Sequence, residues 1–164
     1  MKPIIKRLNR SFKNKVNKYD LSNQDQINKL QRAFTITNSV RNNLLYIHWN
    51  CKGDKFKQIH EITEEYYDKV NKEFDFIAEL NLQHGLSVGN PCIEYFRENV
   101  LDNAPYEYQD AIEAMKSQLS TYIEVLTDLS KCLEEFRGDQ SVLDDMIAYW
   151  TKELDYKLGR MDMI

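Results

Sequence analysis

A chain of 164 residues has the length of one domain and can bury a core without a disulfide or a structural metal. Five glycines and three prolines are too few for an all-β or loop-rich fold, and a charged fraction of 29% suits long helices with one solvated face. Three cysteines without a C-x-x-C spacing, and no apolar stretch of membrane-spanning length, predict reduced thiols and a cytoplasmic protein.

Residues 1–20 form a basic N-terminal arm ahead of a single domain predicted over residues 21–164. The arm has a net side-chain charge of +6, whereas the whole chain has −4, so the remainder carries −10. Such an arm can bind DNA by displacing counterions, lie on a membrane or its own body as an amphipathic helix, or act as a solvated tail. Membrane association is the least favoured of these. The candidate DNA-binding residues are Lys2, Lys6, Arg7, Arg10, Lys13, Lys15 and Lys18.

Glycine- and proline-containing breaks divide the remainder into helical segments over roughly 22–51, 54–84, 92–102, 106–137 and 139–160. Tight connections predict antiparallel hairpins for the first two long segments and for the last two. The longer middle connection lets the second and third long helices run parallel. The sequence therefore predicts an all-α, ferritin-like four-helix bundle with a short extra helix in the middle crossover.

Histidines and acids cluster around the first hairpin. His60 and Glu64 are four residues apart, as are Asp75 and Glu79, so each pair shares a helix face. The two pairs lie about 16 Å apart along the helix axis at the standard rise per residue. One chain cannot close all four side chains around one metal, so the spacing predicts a site between two chains. Each acid pair taken alone is more simply explained as part of a solvated face.

The later segments carry the clearest helical period. Ile112, Met115, Leu119 and further apolar residues to Phe136 recur at the spacing of a bundle helix. The last helix is predicted to start at Asp139 or Ser141 as N-cap, with an apolar side formed by Val142, Met146, Tyr149, Trp150 and Leu154. His84 has no acid at helical spacing, which predicts a helix-end or surface histidine.

The run Leu45-Tyr46-Ile47-His48-Trp49-Asn50-Cys51-Lys52-Gly53, followed by Phe56 and His60-Glu61, resembles the signature segment of the Dps proteins, or mini-ferritins. In that family a second histidine, an acid and an Asp-x-x-x-Glu pair follow at these spacings, although the acid at position 64 is usually Asp. The resemblance covers roughly residues 25–160 and is most specific over 45–79. No histidine follows a glutamate by three residues, which favours Dps proteins over ferritins proper.

The resemblance implies a homo-oligomeric shell, a dodecamer in that family, with ferroxidase sites shared between twofold-related subunits. One subunit would supply His48, His60 and Glu64 to iron, and its mate would supply Asp75 and Glu79. Fe(II) would be oxidised, preferentially by hydrogen peroxide, and stored inside as ferric mineral, which protects DNA from oxidative damage.

The same resemblance assigns roles to neighbouring aromatic residues and to acids of the last helix. Trp49 and Tyr46 would accept stray oxidising equivalents, or else pack at the dimer interface. Asp139, Asp144 and Asp145 fall where the family lines its pores, although acids at a helix start also complement the helix dipole. The alternative function is a Dps-like shell that coats DNA with little or no ferroxidase activity.

Overall fold

The computed structural model describes residues 23–91, 101 and 106–163. In this part of the chain four long helices form an all-α bundle, as predicted: α1 is Gln24–Asn50, α2 is Phe56–Gln83, α3 is Tyr108–Cys132 and α4 is Arg137–Lys152. A π-helical turn, Glu153–Leu158, continues α4, and the short helix α5, Gly159–Asp162, follows. The basic arm and nearly all of the predicted crossover helix over 92–102 lie outside the described residues.

Local chemistry accounts for the ends of the first two helices. The Asn23 side chain caps α1 by accepting a hydrogen bond from the Gln26 amide at 3.1 Å. Gly53 adopts a φ of 89° in the turn that follows α1, and Gly85 adopts a φ of 79° just beyond α2. Side chains disfavour positive φ, so glycine suits both positions: Gly85 directly follows the C-cap of α2, whereas Gly53 serves the turn after α1, which already ends at its extended C-cap Cys51.

Hydrogen bonds between helices establish the topology. Asn81 at the end of α2 donates to the Leu30 carbonyl near the start of α1, so these two helices are antiparallel. The amide of Lys52, just after α1, donates to the Tyr106 carbonyl, just before α3, at 2.9 Å. At the other end, Gln26 donates to the carbonyl of Cys132, the last residue of α3. Therefore α3 is antiparallel to α1 and parallel to α2, which confirms the predicted long crossover.

The core follows the predicted apolar periods, with one correction. The α3 stripe is buried, including Met115, Leu119 and Leu126. On α4, Met146 and Trp150 are buried as predicted, but Val142 is 42% exposed and its neighbour Leu143 is fully buried. Val142 lies four residues before Met146 and Leu143 lies three before it, so both fit the helical period and the spacing alone did not distinguish them.

The start of α4 also differs from the prediction. The helix begins at Arg137, and neither Asp139 nor Ser141 is its N-cap; Phe136 occupies that position without a side-chain hydrogen bond. Gly138, which was expected to lie in the break before α4, is the second residue of that helix. No helix in the described ranges has the length and hydropathy needed to cross a membrane.

Candidate metal site

Two of the predicted ligands meet where α1 ends and α2 begins. The half-buried rings of His48 and His60 stack with their centroids 3.7 Å apart and their planes 22° apart. His48 Nδ1 lies 3.0 Å from the His60 carbonyl oxygen, and His60 Nδ1 lies 3.3 Å from the His48 carbonyl oxygen. A carbonyl can only accept, so each Nδ1 carries a hydrogen, and in the neutral form of each ring the lone pair is then on Nε2. This tautomer is the one that a histidine needs to bind metal through Nε2.

Thr63 supports this arrangement and was not singled out from the sequence. Its buried hydroxyl donates to the Ile59 carbonyl at 2.6 Å and lies 3.2 Å from His48 Nδ1. The only signal in the sequence was its position three residues after His60, on the same turn of helix. A residue of this kind orients a ligand without touching the metal.

The three predicted acidic ligands lie on the outer face of α2. Glu64, Asp75 and Glu79 are all exposed in the single chain. Among the described residues, no group of three or more His, Cys, Asp and Glu side chains comes together in one chain in a way that could hold a metal. The structure thus brings the two histidines together and leaves the acids apart from them. A site using all five residues needs a second chain, as the spacing predicts.

Exposed aromatic side chains flank the histidine pair. Trp49 is 70% exposed, and Phe56 is 43% exposed with its ring 5.0 Å from that of His60. Tyr46 is half-buried and packs edge-on against Tyr106, with ring centroids 5.9 Å apart. Trp49 follows His48 in the chain and Phe56 packs near His60, so two exposed aromatic side chains accompany the histidine pair.

The three candidate pore acids have different surroundings. Asp139 is half-buried, with Oδ2 3.7 Å from Nε2 of His84. Asp144 accepts a hydrogen bond from the Ser130 hydroxyl at 2.6 Å. Asp145 is exposed. Asp139 and Asp144 therefore interact within their own chain, and both Asp144 and Asp145 are exposed, as a channel lining requires.

The surface prediction for His84 is wrong. His84 follows the last residue of α2, as predicted for a helix end, but it is only 1% exposed and the Phe136 ring packs edge-on against it. Its acid partner, Asp139, comes from α4, so no local spacing could reveal it. Burial holds the pKa of the His84 imidazole below its ordinary value of 6.5, against the opposing effect of Asp139.

A second polar cluster lies inside the bundle and was also missed. Glu73 is 6% exposed, and its Oε2 accepts hydrogen bonds from the Tyr122 hydroxyl at 2.9 Å and the Trp150 indole N–H at 2.7 Å. Lys69 Nζ lies 3.3 Å from Oε1. In the sequence, Lys69 and Glu73 form an ordinary i, i+4 pair of the kind expected on a solvated face.

Comparison with known proteins supports the fold and the family. A family profile described as a ferritin-like domain matches residues 27–157. The chain is 48% identical to antigen TpF1 of Treponema pallidum over 48 residues, which cover 29% of this chain and 27% of that protein. It is 27% identical to a DNA protection during starvation protein of Listeria innocua over 106 residues, or 63% of this chain and 68% of that one. The TpF1 match therefore spans only about a quarter of its relative's length.

Solved structures give the same fold over nearly the whole chain. Antigen TpF1 superposes with a TM-score of 0.78 at 22% identity, covering 85% of this chain and 92% of that one. A Dps protein from Vibrio cholerae O1, described as a member of a superfamily of ferritin-like diiron-carboxylate proteins, superposes with a TM-score of 0.74 at 19% identity, covering 84% and 88%. The chain belongs to the ferritin-like family, with the Dps proteins as the branch that both its signature motif and its relatives indicate.

Proposed function

We propose that the protein oxidises Fe(II) at sites shared between two subunits and stores the ferric product inside a homo-oligomeric shell. The observation that carries this proposal is the reciprocal hydrogen bonding of His48 and His60, each ring to the other's carbonyl. It fixes both imidazoles in the metal-binding tautomer before any metal arrives. A solvated surface pair would have no reason to hold both rings in this way.

The residues have distinct roles toward iron as substrate. Imidazole and carboxylate together suit iron and leave positions open for an oxidant. Asp75 and Glu79 supply negative charge, which stabilises Fe(III) more than Fe(II) and so favours oxidation. Two Fe(II) each transfer one electron to one hydrogen peroxide, the O–O bond breaks, and two protons complete two waters. Consuming peroxide together with Fe(II) limits the formation of hydroxyl radicals.

The exposed surface around the histidines supports assembly. Trp49 and Phe56 present apolar rings beside the pair, and the three candidate acids remain exposed on α2. A second copy of the chain would cover the rings and bring its own acids to the histidines. We propose a closed shell of twelve subunits, in keeping with the motif resemblance.

DNA binding is a second candidate function. The relatives from Listeria and Mycolicibacterium are named DNA protection during starvation proteins. The +6 charge over residues 1–20 would be repeated on every subunit of a shell, and many weak contacts to phosphate then add up. A shell that only coats DNA, with a weak metal site, is the alternative to the ferroxidase.

Replacing Asp75 and Glu79 together with Ala should reduce peroxide-driven Fe(II) oxidation to the rate in protein-free buffer. The carboxylates would no longer stabilise Fe(III), whereas exposed positions of this kind change stability by only about 0.5 kcal/mol. The matched control replaces Glu61 and Asp68 with Ala, which removes the same charge from exposed positions of the same helix. The measurement is the initial rise of ferric absorbance after Fe(II) and peroxide are mixed anaerobically.

Co-expression tests whether the site is shared. A His48→Ala/His60→Ala chain and an Asp75→Ala/Glu79→Ala chain should each be inactive alone. Mixed shells should regain activity, because some subunit pairs combine intact histidines from one chain with intact acids from the other. Wild-type activity in the acid variant, or inactive mixed shells of confirmed mixed composition, would rule out the shared site.

A further inference from the structure

The polar cluster inside the bundle has an unusual composition for a core. Glu73 of α2 accepts from Tyr122 of α3 and from Trp150 of α4, and both donors reach the same oxygen, Oε2. Tyr122 and Trp150 are fully buried. Burying a carboxylate costs free energy because the group loses its hydration. Apolar residues of similar volume in its place often give a folded state that is equally stable or more stable. Stability alone is therefore a weak reason for this cluster.

Aromatic rings connect the cluster to the surface. The Trp150 ring lies 6.0 Å from that of Tyr122 and 4.9 Å from that of Tyr149, centroid to centroid. Tyr149 is half-buried, and Lys69 Nζ lies 4.2 Å from its ring centroid. A line of three rings therefore leads from the solvent-accessible Tyr149 through Trp150 to Tyr122. Separations of this size are short enough for an electron to move from ring to ring.

Three donors at the inner end offset part of the cost of ionising Glu73 in a buried position. The Tyr122 hydroxyl, the Trp150 N–H and the Lys69 ammonium are all donors, and a carboxylate ion can accept from all three. Burial raises the pKa of Glu73, while these donors oppose the rise. Burial also holds the pKa of Tyr122 well above its usual range, so the phenol stays protonated until it is oxidised. The cluster thus pairs an oxidisable phenol with a base at hydrogen-bond distance.

We propose that Tyr149, Trp150, Tyr122 and Glu73 form a proton-coupled redox relay that supplies one electron to a one-electron oxidant of the oxygen-centred radical class. The oxidant takes an electron from Tyr149, whose phenol proton passes to water. Tyr149 is restored by an electron from Trp150 and a proton from water. Trp150 then takes an electron from Tyr122, whose proton moves along the 2.9 Å hydrogen bond to Glu73.

The net change is one electron to the oxidant and one proton from Tyr122 to Glu73. It leaves a neutral phenoxyl radical on Tyr122 and a protonated Glu73, both buried. The radical is then held away from solvent and from bound macromolecules. This activity goes beyond the proposed iron oxidation and does not depend on it, since the oxidant can arise in solution.

The test uses the full chain with no iron added, so that its outcome is independent of the ferroxidase. A ruthenium(III) tris-bipyridine oxidant is generated by a laser flash with a cobalt(III) quencher, the sample is freeze-quenched, and radicals are counted by electron paramagnetic resonance. Wild type should give a long-lived tyrosyl radical. Tyr122→Phe should lose most of that signal. Tyr156→Phe, which removes a phenol that is 61% exposed, should keep it.

Glu73→Gln separates redox action from packing, since the amide keeps the shape but does not take the proton. We expect the radical to form about tenfold more slowly, the effect of ~1.4 kcal/mol on a barrier, and the solvent deuterium effect on the rate to disappear. If Glu73→Gln does not fold, high-field electron paramagnetic resonance of the wild-type radical provides the test instead. A Tyr122 phenoxyl that accepts a hydrogen bond from Glu73 has a shifted g-tensor. A wild-type yield in Tyr122→Phe, an unchanged rate in Glu73→Gln, or a wild-type phenoxyl without a hydrogen bond would overturn the proposal.

Discussion

At the scale of single residues, burial decides how the ionisable groups behave. His84 lies against Asp139 and Phe136 at the end of α2, and desolvation lowers its pKa although an acid is 3.7 Å away. The Coulomb attraction at that distance is weaker than the loss of hydration around a ring that is 1% exposed. His84 is therefore neutral in the folded protein near neutral pH.

This burial predicts a pH dependence of stability. Unfolded His84 takes up a proton near its ordinary pKa of 6.5, whereas the folded ring does so only at lower pH. The free energy of unfolding therefore falls as pH drops below about 6.5, because only the unfolded ring then takes up a proton. The decrease stops at the lower pH where the folded ring is protonated as well. Relative to His84→Gln, wild type should lose stability between about pH 7.5 and pH 5.5, as measured by urea unfolding at fixed protein concentration.

Asp139→Asn provides the control for this dependence of stability on the protonation of His84. Removing the charge that raises the pKa should lower the pKa of folded His84 further, so the loss of stability should extend to lower pH than in wild type. Parallel unfolding curves for wild type and His84→Gln across the whole range would contradict the assignment of His84 as a buried neutral ring.

The sequence predicted residues well where a local pattern carried them. The twelve-residue interval from His48 to His60 crosses one tight turn, so a hairpin necessarily brings the two rings close. It did not predict His84 with Asp139, or Glu73 with Tyr122 and Trp150. These contacts join residues 49 to 77 positions apart. Their partners were chosen by packing between helices, which no single-sequence spacing reveals.

At the scale of elements, the prediction and the structure agree in the helix interiors and differ at the helix ends. The interiors of α1 to α3 were predicted from apolar period and breakers, and the structure confirms them within a few residues. The start of α4 was wrong, since acids and serine at 139–145 suggested a later cap. The π-helical turn at Glu153–Leu158 was not predicted either. Its first residue, Glu153, accepts a hydrogen bond from Tyr66 of α2 at 2.8 Å, a contact between helices that no local spacing reveals.

The N-cap of α1 gives a direct test at this scale. Asn23→Ala should lower the free energy of unfolding by about 1 kcal/mol, because the amide of Gln26 loses its side-chain acceptor. Asn23→Asp keeps an acceptor at the same position and should stay close to wild type. Urea unfolding of the three proteins makes the comparison, and equal midpoints for Asn23→Ala and wild type would show that the cap does not act as described.

At the scale of the whole molecule, assembly and charge decide what the bundle can do. The candidate ligands are split between a histidine pair at one end of α2 and acids farther along its exposed face. Only a second chain can combine them, so the iron chemistry that we propose depends on the oligomer. The arm over residues 1–20 has a net side-chain charge of +6, whereas the remainder of the chain has −10, so we expect the two parts to attract different partners.

Removing the arm should separate DNA binding from iron oxidation. Deleting residues 1–20 should abolish retardation of duplex DNA, while the intact chain should bind with an affinity that falls steeply as salt rises. A chain whose seven arm lysines and arginines are replaced with Gln is the matched control and should behave like the deletion. Retardation by the deleted protein equal to that of the intact one would place DNA binding elsewhere.

The central claim is that two subunits share the iron site, and anomalous scattering at the iron edge tests it most directly. Crystals of the assembled protein would be soaked anaerobically in Fe(II) and measured on both sides of the edge. We expect an iron peak within bonding distance of His48 and His60 of one subunit and of Asp75 and Glu79 of the partner subunit. Iron bound by residues of one chain alone, or peaks only at other surfaces such as Asp145, would contradict it.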